Sequence, residues 1–249
     1  MSPLSRFAIA LCVSVLVFPV AEVDAKPLRA LLVVGGCCHD YGKQKDLVKQ
    51  GIESRANVVV DVAYSTDTST NCRFEVYAKK DWGKNYDVVI HDECAADVKD
   101  PRYVDNVLAP HRAGLAAVNL HCSLHSYRTG TEAWSRFAGI ASTKHGPKLP
   151  VSVQVTDKKH PVTRAMEDWI TGNEELYDNV KVFHAATSLA RGTQTVKQKD
   201  GTDKQEQAIV VWTNRYGKAR VFNTTLAHFN STIEDGRYLD LITRGLLWA

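Results

Sequence analysis

The sequence predicts an α/β fold, a mostly parallel sheet with helices on both faces. Three observations carry that prediction. Short apolar runs recur along the chain, helix-period segments alternate with them in its first half, and histidines directly follow five of the runs. His39 follows LLVVGGCC, His91 follows YDVVI, His121 follows GLAAVNL, His184 follows VKVF and His228 follows ARVFNTTLA. The carboxyl ends of parallel strands open onto one crevice, where ligands bind. Imidazole titrates near neutral pH and is the commonest metal ligand, so several imidazoles at one crevice point to proton transfer or a metal.

In order, Arg29–Val34 reads as a buried parallel strand ended by Gly35 and Gly36. Lys43–Glu53 carries Leu47, Val48 and Ile52 at helical spacing. Asn57–Tyr64 is the next strand, Ser65–Asn71 a polar loop, and Tyr86–Ile90 a third strand. Pro101–Ala109 reads as a helix with Val104, Val107 and Leu108 on one face, and Gly114–Leu120 as a fourth strand. This alternation makes a right-handed βαβ series. The second half is less regular. Thr131–Ile140 reads as a helix, Val151–Asp157 alternates as a half-exposed strand broken by His160-Pro161, and Asn179–Phe183 is a short strand. Gly192–Gln205 is polar, a hairpin tip or surface loop. Ala208–Asn214 and Lys218–Thr224 flank Tyr216-Gly217 as a hairpin, and Asp235–Trp248 closes the chain as a helix.

The N-terminus reads as an export signal. Arg6 gives a basic start, Phe7–Val20 an apolar run, and Ala21–Ala25 a small-residue cleavage site. The run is shorter than the about 20 apolar residues of a membrane span, so no stable span is expected. Residues 26–249 then form one domain, placed in the periplasm or outside the cell. The net charge of +3 is mild and the basic residues are scattered, which argues against nucleic acid as a partner. Cys37, Cys38, Cys72, Cys94 and Cys122 follow the signal. An oxidising compartment permits disulfides, but spacing does not give their connectivity, and the adjacent Cys37 and Cys38 are not expected to pair with each other.

Four segments carry chemistry. Gly35–Tyr41, GGCCHDY, presents His39 and Asp40 at a helix start. Asn119–Arg128, NLHCSLHSYR, offers His121, Cys122 and His125 past the fourth strand. Asn173–Val180 carries Glu174 and Glu175 before Tyr177; such carboxylates orient imidazoles or act as bases, though paired acids are more often a solvated face. Asn223–Thr232 places His228 after the last strand.

Together with Ser142–Gly146 (STKHG), His160-Pro161, Val210–Asn230 and the terminal RGLLWA, these segments resemble the trehalose-utilisation, or ThuA-like, family over almost the whole of residues 26–249. The resemblance implies a flavodoxin-like fold similar to class I glutamine amidotransferases, with a histidine where those enzymes carry their nucleophile. That position maps onto His121. It also implies a role in carbohydrate use, including keto-sugar metabolism. Ala227 and Ala219 depart from the pattern, standing where or near where the family tends to have glycine, and both narrow the loop expected around His228.

The expected function is therefore action on a small carbohydrate, as a hydrolase or isomerase using histidine acid/base chemistry. His121, His39, His228 and Glu175 are the expected catalytic residues, and Asp40, His145, Tyr177 and Trp212 the substrate-binding ones, with Tyr177 and Trp212 stacking on a sugar ring. No cofactor is required by this reading; zinc or another divalent metal is a subsidiary expectation, since three imidazoles with a carboxylate or water suit it. Self-association is left open. Two alternatives stand beside it: a non-catalytic sugar-binding module, and a hydrolase or amidase that uses Cys122.

Overall fold

The computed structural model describes residues 25–249, so the expected export signal lies outside the described residues except for Ala25. The elements run β1 (Leu28–Gly36), α1 (Tyr41–Glu53), β2 (Val58–Tyr64), β3 (Val88–Cys94), α2 (Pro101–Ala113), β4 (Ala116–Leu120), α3 (Ala133–Ala138), β5 (Ile140–Ala141), β6 (His145–Val155), β7 (Trp169–Tyr177), β8 (Lys181–Val182), β9 (Thr187–Lys197), β10 (Asp203–Tyr216), β11 (Ala219–Thr224), α4 (Asn230–Ile233) and α5 (Gly236–Trp248). Glu75–Ala78 and His121–His125 form 3-10 turns.

Nine strands build one sheet in the order β2-β1-β3-β4-β11-β10-β9-β6-β7. β2, β1, β3, β4 and β11 are parallel, and β10, β9, β6 and β7 extend the sheet in antiparallel fashion. The expected α/β architecture is present, with helices on both faces. Alternation along β1 shows how: Leu32 and Val34 pack with Val48 and Ile52 of α1 and with Leu241, Ile242 and Leu246 of α5. Leu31 and Val33 face the other way, with Val104, Val107 and Leu108 of α2 and Phe137 of α3. Burying a sheet on both faces removes its polar/apolar alternation, which is why these strands read as continuous apolar runs. α2 starts where Asp100 accepts a hydrogen bond from the Arg102 N–H with Pro101 in the first turn, and it ends at Gly114 with φ of 127°.

The structure corrects several expected boundaries. β3 does not end at Ile90 but continues through His91, Asp92 and Glu93 to Cys94, all buried. β7 was not expected at all, whereas the expected strand 179–183 shrinks to β8. Most of the polar stretch 192–205 is strand, because β9 runs to Lys197 and β10 starts at Asp203. The hairpin about Tyr216-Gly217 forms as expected.

Candidate functional site

The site forms where the parallel strands end. Gly36, with φ of 97°, lets β1 run close beside β3; a Cβ there would lie 2.2 Å from the Cys94 carbonyl oxygen. The chain then turns through Cys37 and Cys38 to present His39. β4 and β11 pair with Leu120 opposite Thr224, so the next residue, His121, meets Thr225. The His121 Nδ1–H donates to the Thr225 carbonyl oxygen at 2.6 Å. His121 has φ of 42°, a left-handed conformation uncommon outside glycine though histidine tolerates it better than most, at the strand-to-turn junction. His228 follows Ala227, which takes φ of 94°. The expected departure from glycine at Ala227 therefore falls on a position whose backbone favours glycine. The Glu174 carboxylate accepts the His228 backbone N–H at 3.0 Å and so fixes this loop from below.

Three imidazoles converge. The rings of His39 and His121 lie 4.8 Å apart, those of His39 and His228 4.7 Å, and those of His121 and His228 5.4 Å. Glu175 of β7 sits against them: its carboxylate is 3.5 Å from His121 Nε2 and 3.3 Å from His228 Nδ1. The β6–β7 register sets Lys148 opposite Glu175 and His145 opposite Tyr177. His145 Nε2 and Lys148 Nζ accordingly approach the same carboxylate at 3.5 and 3.8 Å. Burial raises the affinity of Glu175 for a proton, but the adjoining imidazoles of His121 and His228 outweigh it and hold the carboxyl well below the usual carboxylate range. Burial, then the neighbouring His121 and His228, depresses the His39 imidazole to about 3, so it is neutral at physiological pH. Burial and Arg128 do the same to His125, also to about 3.

Two adjoining cavities share Cys38, His39 and His228 in their walls. One, of about 400 Å³, also reaches Glu175, Tyr177, His145, Arg128 and Lys144. The other, of about 720 Å³, reaches Asp40, Lys148, Phe229 and Asn230. Both fall in the size range of small-molecule sites.

The structure thus brings together His39, His121, His228, Glu175, His145 and Tyr177. Asp40 stands apart from the imidazoles on the wall of the larger cavity, where it accepts from the Asn230 amide at 2.8 Å. Trp212 is not brought to the crevice. It is 1% exposed, packs with Ile140 and Ile209, and donates its indole N–H to the Ala138 carbonyl oxygen at 2.7 Å, so it has no face for a sugar. Tyr177 forms a wall rather than a stacking platform, because the His125 ring already covers one face at 3.9 Å and 5°. Of the five histidines that follow apolar runs, His184 lies exposed in a turn and His91 faces the opposite side of the sheet.

Sequence reasoning left the cysteines unresolved. Cys37 and Cys38 are bonded to each other, contrary to expectation, and Cys94 is bonded to Cys122. The φ of 83° at Cys38 accompanies the pairing of neighbours. With its sulfur bonded, Cys122 is not free to act as a nucleophile. Glu174 and Glu175 are buried instead of forming a solvated face. Among the described residues, His39–His121–His228 is a group spaced to hold a metal ion; two other groups with such spacing rest on Cys94, whose sulfur is bonded to Cys122.

Comparison with known proteins follows the same outline. The family model described as ThuA, trehalose utilisation, matches residues 30–249. A protein named ThuA-like from Parabacteroides merdae is 20% identical, with a TM-score of 0.69 over 90% of each chain. Another so named, from Bacteroides uniformis, is 17% identical, with a TM-score of 0.65 over 93% of this chain and 94% of that one. A β-galactosidase from Rahnella sp. R3 is 14% identical, with a TM-score of 0.55 over 87% of this chain but 30% of its own. At these identities the likeness is one of fold. Comparison with curated proteins finds no match.

Proposed function

This chain belongs to the ThuA, trehalose-utilisation family, and from that premise we propose that it acts on a small carbohydrate, a disaccharide or keto-sugar, by histidine acid/base chemistry in the crevice. The observation that carries the reading is the convergence of His39, His121 and His228 on Glu175 beside cavities large enough for such a molecule.

The geometry supplies distinct roles. With its Nδ1–H committed to the Thr225 carbonyl, His121 has Nε2 as its second nitrogen, and we assign that atom as the base. It can take a proton from a sugar hydroxyl, or from the carbon beside a carbonyl, and return it to a neighbouring atom. Glu175 stabilises the imidazolium formed in between. Neutral His39 offers a second acceptor at the cavity wall. Arg128 and Lys144 line the cavity and favour oxygen atoms on which negative charge develops. Asp40 and His145 are placed to bind hydroxyls. We also assign export to residues 1–25, on the basic start, apolar run and cleavage site. No helix among the described residues is long and apolar enough to cross a membrane.

A purely binding module is less well supported, since Trp212 is buried and one face of Tyr177 is occupied. The test incubates the protein lacking residues 1–25 with disaccharides and their 3-keto derivatives and reads products by mass spectrometry. Turnover that His121→Ala lowers by ~10²–10⁴-fold supports the proposal. Calorimetric affinity for a glycan without any product would replace it with the binding module.

A further inference from the structure

Beyond the carbohydrate assignment, the same crevice has the donor set of a metal centre. We propose that His121, His228 and Glu175, with His39 as the third imidazole, bind one divalent cation of the zinc type. An ion held there would occupy the His121 Nε2 lone pair, so in the metal-bound protein His121 is a ligand and not the free base; the inference stands whether or not the substrate is a sugar.

Spacing is the first argument. Zinc–nitrogen bonds of about 2.0–2.1 Å at tetrahedral angles set neighbouring donor atoms roughly 3.3–3.4 Å apart. His121 Nε2 and His228 Nδ1 are 3.3 Å apart, Glu175 Oε1 lies 3.3 Å from His228 Nδ1, and Glu175 Oε2 lies 3.5 Å from His121 Nε2. The three imidazoles offer ligand nitrogens that all fall within 4.8 Å of one another.

Orientation is the second. A carbonyl oxygen can only accept, so His121 donates from Nδ1 to Thr225 and keeps its lone pair on Nε2, facing His228 and Glu175. His39 in the same way directs Nδ1 at the His228 carbonyl oxygen at 3.3 Å and keeps Nε2 as its free nitrogen. Metal-bound histidines characteristically spend their second nitrogen on such an oxygen. Backbone anchors also hold the set in place: the Glu174 carboxylate grips the His228 N–H, and His121 sits at a fixed strand end. Oε1 of Glu175 meets His145 and Lys148 as well as His228, while Oε2 is turned toward His121.

Contrast strengthens the case. The other histidine cluster, His91 and His111 with Glu93, has its ring nitrogens paired with each other, with the Glu93 carboxylate and with a carbonyl oxygen, and it lines neither of the two crevice cavities. The cation at the crevice is expected to be four-coordinate, with any position not filled by protein open to water or a substrate oxygen, as in catalytic zinc sites.

The experiment uses the protein without a polyhistidine tag, stripped with a chelator, dialysed and loaded with Zn²⁺ alone. Elemental mass spectrometry should find about one ion per chain, and saturating Zn²⁺ should raise Tm by roughly 5 °C or more. Glu175→Gln and His228→Ala should each abolish stoichiometric binding, whereas His184→Ala, in an exposed turn, and Cys94→Ser should keep it. Loading the unaltered protein with Co²⁺ needs no variant to fold: visible d–d bands without a thiolate charge-transfer band support nitrogen and oxygen ligands. No stoichiometric ion, a thiolate band, or binding lost in Cys94→Ser and kept in His228→Ala would each overturn the proposal.

Discussion

Two histidine clusters lie on opposite sides of one sheet, and they are built from the same residue types. In the crevice, His39, His121 and His228 surround Glu175 on loops past the strand ends. On the far side, His91 from within β3 and His111 from α2 surround Glu93. His91 Nδ1 lies 2.9 Å from Glu93 and its Nε2 lies 3.1 Å from His111, whose Nδ1–H donates to the Leu115 carbonyl oxygen at 2.7 Å. Tyr77 and Tyr127 add hydroxyls to the Glu93 carboxylate at 3.1 and 3.0 Å. Both His91 and His111 are 0% exposed. The far cluster is therefore a closed, fully buried hydrogen-bond network gathered on one carboxylate oxygen, with the second oxygen of Glu93 left unpaired. The crevice cluster instead has His39, His228 and Glu175 in the wall of a cavity, with His121 buried beside them. Position along the strand, not the presence of histidine, separates the cluster at a cavity from the one enclosed in the core.

The sharpest way to break this comparison is to remove one member of each cluster. His121→Ala should lower turnover by ~10²–10⁴-fold with little loss of fold. Glu93→Ala should do the reverse. It strips a buried network of its acceptor and should destabilise the protein by about 3–5 kcal/mol in denaturant unfolding, while the folded fraction keeps its turnover. Equal effects of the two substitutions on turnover per folded molecule would erase the distinction.

Acid sharpens it further. Burial, and then His91, depresses His111 to about 3 from its ordinary 6.5. Between those values the unfolded chain holds a proton at His111 that the folded chain does not. Unfolding free energy therefore falls as pH falls through this window, by about 1.4 kcal/mol per unit from this residue. His111→Phe should show a shallower slope in pH-dependent denaturation, whatever its stability at neutral pH. The smallest effect belongs to the crevice. Ala227 holds φ of 94°, so Ala227→Gly should stabilise the protein by about 1 kcal/mol, read as a higher melting temperature.

Much of the parallel half was legible because strands buried on both faces spell continuous apolar runs, and Gly35-Gly36 marks where the first one stops. His39, His121 and His228 followed from that reading. The same reading placed His91 at the crevice as well, and wrongly, because Asp92 and Glu93 interrupt the apolar run and hide the fact that β3 continues to Cys94. β7 escaped notice for a related reason: Thr171, Asn173, Glu174 and Glu175 carry no apolar period, and their strand is fixed by pairing with β6. In β10 every residue from Ala208 to Thr213 is buried, so alternation could not tell that Trp212 points into packing with Ile140 and Ile209 instead of the crevice. The pairing of Cys94 with Cys122 needed the three-dimensional approach of β3 to the turn after β4, which no local pattern encodes.

The most direct measurement is a ¹⁵N spectrum of the imidazole nitrogens during titration with trehalose and its 3-keto derivative. Perturbations at His39, His121 and His228, with His91 and His111 unmoved, are the predicted result. Shifts centred on His91 and His111, or no response from the crevice rings to any carbohydrate that the protein turns over, would contradict it.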